Sequence, residues 1–102
     1  MSRADAAFDR AADAQFRQFG DWAVHTPKQG DPVRRRVILS EGVEMMDDMG
    51  AVRRHDVMDV LLSEGPPPQS GDTLDIECGH TWTVDAESST DGRYLSVIVR
   101  RA

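Results

Sequence analysis

The sequence predicts a mainly β fold: a small antiparallel β-barrel or sandwich of about six short strands with one N-terminal α-helix and a long flexible loop. Three observations carry this expectation. Apolar residues recur at three- and four-residue steps over the first 20 positions, the period changes to two from Asp21 onward, and Gly-, Pro- and Asp-rich breaks separate the two-period runs. At 102 residues the chain can bury one modest core, so residues 1–102 read as a single domain, with a helix over 1–20 and the β unit over 21–102.

Each element follows from local chemistry. Residues 5–19 are rich in alanine, and Phe8, Ala12, Phe16 and Phe19 fall on one face of a helix. Asp5, Asp9 and Asp13 lie toward its N-terminal end, where the helix dipole favours negative charge, and Gly20 is placed to stop it. A helix of this length is marginal alone, so its phenylalanines need a partner surface, in the same domain or on a neighbour. Trp22, Val24 and Thr26 then alternate with Ala23 and His25 up to Pro27, which predicts a first strand with Trp22 in or at the rim of the core. Lys28–Pro32 is turn chemistry, and Val33–Leu39 returns as a strand carrying Arg34, Arg35 and Arg36. Glu41–Gly50 breaks the pattern with four acids and three methionines and reads as the long loop. Val52–Leu62 is expected to be a strand, and Gly65–Gly71 a rigid Pro/Gly connector. Thr73–Glu77 and His80–Ala86 read as a hairpin turning at Cys78-Gly79 with Gly79 at positive φ. Ser88–Gly92 reads as a polar turn, and Tyr94–Val99 as a last strand with Leu95, Val97 and Val99 on one side. Trp82 is expected in the core.

Composition narrows the function. Hydrophobic residues make up 39% and charged residues 29%, which suits a globular domain. Twelve Lys and Arg against 18 Asp and Glu leave a net charge of −6, which argues against a general nucleic-acid binder. No apolar run approaches the ~20 residues that cross a bilayer, so no membrane partner is expected. The opening residues have no signal-peptide pattern, which predicts a protein that stays where it is made. One cysteine excludes an internal disulfide framework.

The order of elements carries a resemblance. A Phe-containing N-terminal helix leads into strands, an acidic irregular segment and a Pro/Gly connector. Then come Gly71-Asp72-Thr73-Leu74-Asp75-Ile76, Thr81-Trp82-Thr83-Val84, an Asp-Gly turn and a closing Leu95-Ser96-Val97-Ile98-Val99-Arg100. This ending, within a match covering nearly the whole chain, resembles the head–tail joining (tail attachment) proteins of siphophages, the group that contains the lambda-type joining protein. The resemblance implies a small β-barrel or sandwich that assembles, without catalysis or cofactor, as a ring in the virion neck, a hexamer in the virion. Its implied partners are other copies of itself, a portal-side head completion protein and a tail terminator or tail tube protein, with assembly in the bacterial host cytoplasm. It also implies that the N-terminal segment, residues 1–20, and the segment 41–50 order only on assembly. The alternatives are another phage tail or baseplate β module, or a small acidic regulatory binding domain.

No motif in the sequence predicts a catalytic or metal site. Cys78 and His80 flank a turn glycine, but His25 and His55 stand at no ligand spacing from them, and a zinc site needs three or four ligands. A nucleophilic Cys78 would lack an oriented base, and its neighbour Glu77 opposes thiolate formation. The candidate sites are contacts. In a strand Arg34 and Arg36 share a face while Arg35 points to the other. The pair is read as a solvated edge, as a contact to the acidic segment of a neighbour, or as lining for a DNA channel. Glu41, Glu44, Met45, Met46, Asp47, Asp48 and Met49 form an acidic, methionine-bearing surface suited to a subunit or the tail, because methionine adapts to irregular partners. Packing over the barrel mouth is the plainer account of those methionines. Phe8, Phe16 and Phe19 are candidates for docking of the N-terminal helix.

Overall fold

The computed structural model describes residues 14–90 and 92–102. A helix occupies 14–19, and six strands follow: β1 (Asp21–Thr26), β2 (Val33–Met46), β3 (Val52–Leu61), β4 (Thr73–Ile76), β5 (Thr81–Thr90) and β6 (Tyr94–Arg101). All neighbouring pairs are antiparallel, and the strands close into a barrel in the order β1-β2-β3-β6-β5-β4. Closure depends on β4, four residues long, which pairs with β1 through Ala23↔Ile76 and with β5 through Leu74↔Trp82.

Two-residue periodicity points one set of side chains inward. Val37 on β2, Met58 and Val60 on β3, Leu74 on β4, Trp82 and Val84 on β5, and Val97 and Val99 on β6 are all buried and pack into one cluster. Leu95, Val97 and Val99 share the buried side of β6, and Trp82 is 2% exposed, as the alternation predicts. Val52–Leu61 is a strand, and a single 3-10 turn (Leu62–Glu64) leads into the Pro/Gly connector. Gly20 ends the helix: its N–H bonds to the Phe16 carbonyl at 2.8 Å, and a Cβ there would stand 2.4 Å from that oxygen.

Four local expectations need correction. Glu41–Gly50 is not a long loop. β2 continues through Met46 and returns as β3 from Val52, because Glu44↔Arg54 and Met46↔Val52 supply the cross-strand partners that a core would otherwise provide. Trp22 is 41% exposed, while Ala23 and His25 are fully buried, so β1 runs in the opposite phase. Small Ala23 fits the crowded interior, and Trp22 finds cover outside under arginines. Gly79 is not at positive φ. It takes the fourth place of a turn closed by its N–H to the Ile76 carbonyl, with an added Cβ 3.2 Å from the Ile76 side chain. β5 runs to Thr90, so most of the expected polar turn over 88–92 belongs to a strand, paired as Ser89↔Ser96 and Thr90↔Leu95.

Candidate functional site

The feature that departs from a plain barrel is an arm. β3 pairs with β6 only from Asp56 to Leu61, whereas β2 and β3 remain paired out to Met46↔Val52. Residues 43–55 therefore form a two-stranded projection. A register break between Ser40 and Val43 marks its base. Gly42 sits in the break at φ 68° with nothing within 4 Å of an added Cβ, and its N–H is held by Asp56 Oδ1 at 3.0 Å.

The tip is a tight acidic turn. Asp47 Oδ1 accepts from the N–H of Met49 and of Ala51, both at 2.9 Å, and Gly50 at φ 84° lets the chain reverse. Glu44 and Arg54 face each other at 3.5 Å, and Arg53 lies 3.9 Å from Asp47. Met46, Met49 and Val52 are 73%, 94% and 59% exposed. Apolar side chains this exposed on a braced hairpin are suited to a partner surface.

At the base of the arm lies a groove of about 460 Å³ bounded by Glu41, Arg54, Arg100 and Arg101, with Trp82, Ile98 and Val99 among its lining residues. Arg100 pairs with Asp85 at 2.8 Å, and the Arg101 guanidinium lies 5.7 Å from the Trp82 ring centre. A second cleft of about 420 Å³ adjoins it, lined by Trp22, Leu39, Cys78 and His80 among others. Cys78 is exposed, and among the described residues no group of three His, Cys, Asp or Glu is arranged to hold a metal.

Arg34 and Arg36 lie away from the arm, on the outer wall of β2. Arg34 grips Glu77 with two bonds, at 2.6 and 3.1 Å, and stacks 4.2 Å from the Trp22 ring centre. The hydrogen bonds that Arg34 donates to Glu77 raise the Arg34 guanidinium above its ordinary value and lower the Glu77 carboxyl. Arg36 bonds Glu64 at 2.9 Å and lies 5.7 Å from the same tryptophan ring.

A family model described as phage head-tail attachment protein matches residues 4–100. This chain belongs to the phage head–tail attachment protein family. No curated protein matches it in sequence. In this family member the arm gathers Glu44, Met45, Met46, Asp47, Asp48 and Met49, with Glu41 at its foot, while Arg34 and Arg36 stand apart. Phe16 is 2% exposed and Phe19 is 63% exposed, so the two do not share a buried face; Phe8 lies outside the described residues.

Sequence reasoning missed a polar network inside the barrel. His25 and Arg35 are fully buried and Asp72 is 4% exposed. Arg35 Nη1 donates to His25 Nδ1 at 3.2 Å and to the Pro66 carbonyl, and Nη2 donates to the Leu61 carbonyl. An arginine only donates, so His25 Nδ1 accepts, and its Nε2–H points to Asp72 Oδ2 at 2.9 Å. Asp72 also takes the N–H of Gln69 and of Lys28. Burial alone would raise the Asp72 carboxyl; the Gln69 N–H, the His25 ring and the Lys28 N–H outweigh it and hold the carboxyl below its ordinary value. Both ring nitrogens of His25 and both oxygens of Asp72 are used within the chain. The network ties the turn after β1 and the Pro/Gly connector to the barrel wall. The available signal was phase: Arg35 faces away from Arg34 and Arg36, and Ala23 pairs with Arg35 on that inner side.

Proposed function

We propose that the protein is a non-catalytic virion component that joins the DNA-filled phage head to the tail, acting as a ring-forming adaptor in the neck. The arm is the observation that carries this reading. A closed barrel provides a rigid body, and the projecting hairpin offers methionine and carboxylate side chains that the barrel does not cover. Contacts of this kind, weak singly, gain strength when several copies bind one pre-existing ring. The partners are further copies of the chain, a hexamer in the virion, with a portal-side head completion protein on one face and a tail terminator or tail tube protein on the other. Assembly takes place in the bacterial host cytoplasm.

Electron microscopy of particles from a strain lacking the gene tests this reading. DNA-filled heads beside finished, unattached tails, with joining restored by purified protein, are the expected result. Normal joined particles in the deletion strain would overturn it.

A further inference from the structure

We propose that the arm tip of one copy docks in the groove at the base of the arm of a second copy, pairing Asp48 with Arg101 of the neighbour. The inference rests on the neck-adaptor reading and deepens it by assigning the contact between subunits.

Three observations carry it. The first is charge. Asp48 is exposed at the tip and forms no ion pair among the described residues, and Arg101 at the groove forms none either, meeting only the Trp82 ring. They are complementary charges, each left over after the pairs among the described residues are made. The second is apolar surface. Met46 and Met49 flank the acidic turn and stand largely in solvent, while half-buried Ile98 lines the groove over the buried Trp82 and Val99. Methionine adapts its shape to an irregular surface of this kind and tolerates imperfect fit.

The third is geometry. The arm is a paired hairpin braced across Glu44↔Arg54 and Met46↔Val52, so its tip stands about 15 Å beyond its base at roughly 3.3 Å per residue. A hairpin does not fold back on its own foot, so tip and groove meet only between copies. The two surfaces differ, which makes the contact heterologous. Repetition of such a contact closes a ring when the rotation between copies allows it.

Charge reversal and disulfide trapping test the proposal in a joining assay that mixes purified protein with heads and tails from the deletion strain. Asp48→Arg and Arg101→Glu are each expected to lower joining about tenfold or more, since like charges then face each other. An equimolar mixture of the two variants is expected to restore joining, because each copy offers the altered partner that the other needs. Asp48→Cys with Arg101→Cys, in a Cys78→Ser background, is expected to give a ladder of covalent oligomers when joined particles are oxidised. Full joining by either single variant, or only monomers after oxidation of joined particles, would overturn the tip-to-groove contact and leave the adaptor reading standing. If wild-type protein itself restores no joining, the adaptor reading falls and the docking contact falls with it.

Discussion

His25 and Asp72 lie 47 positions apart in the sequence and meet inside the barrel at 2.9 Å, Nε2 to Oδ2. Arg35 completes the line from the opposite side of the ring. The three side chains anchor the two longest connections on that side of the barrel, 27–32 and 65–72, whose backbones would otherwise have few partners. A barrel closed by a strand as short as β4 gains from such a tie, because Asp72 directly precedes that strand.

Asp72 makes stability depend on acid in a defined direction. Its carboxyl is lower in the folded chain than in the unfolded one. Its contribution is therefore complete above the unfolded carboxylate value, about 3.9, and is lost as pH falls through the lower folded value. Urea unfolding at pH 7 should show Asp72→Asn destabilised by about 1–3 kcal/mol. The gap between variant and wild type should shrink below about pH 4.

The three consecutive arginines should behave differently on substitution. Arg35→Met leaves the Pro66 and Leu61 carbonyls and His25 Nδ1 without their donor and should cost about 3 kcal/mol or more. Arg34→Ala removes a solvent-exposed pair and should leave the unfolding midpoint near that of wild type. Thermal unfolding of the two variants separates a structural arginine from a surface one.

The barrel was largely legible in the sequence because alternation over Leu74, Ile76, Trp82, Val84, Leu95, Val97 and Val99 leaves one choice of inner face. β1 was not, because both of its faces look plausible: Trp22 and Val24 on one side, Ala23 and His25 on the other. The outcome depends on Asp72 and Arg35, distant partners that make a buried histidine tolerable and that no local pattern reveals. The arm was misread for the opposite reason. Its strands have no core face, so Glu41–Met46 carries no hydrophobic alternation, and pairing with residues 52–55 substitutes for it. The candidate contact residues were visible as unusual chemistry, an acidic stretch with three methionines, while the groove residues Arg54, Arg100 and Arg101 come together only through the fold.

Gly42 should matter through its backbone alone. Its φ of 68° suits glycine, and no atom lies where a Cβ would go. Gly42→Ala should therefore cost about 1 kcal/mol from conformational strain, without any packing clash. Chemical denaturation of the variant checks the figure.

Exposed methionines at the tip should be dispensable for folding and needed for attachment. Met46→Ser with Met49→Ser should change stability by less than about 0.5 kcal/mol per site, because both side chains are in solvent. The same variant should join heads to tails poorly in the reconstitution assay.

The most direct measurement replaces residues 44–53 with a short glycine turn and assays joining with the purified, folded protein. The account predicts an intact barrel by circular dichroism and an unfolding transition near that of wild type, with heads and tails left separate under the electron microscope. Joining at the wild-type level by the armless barrel would contradict it.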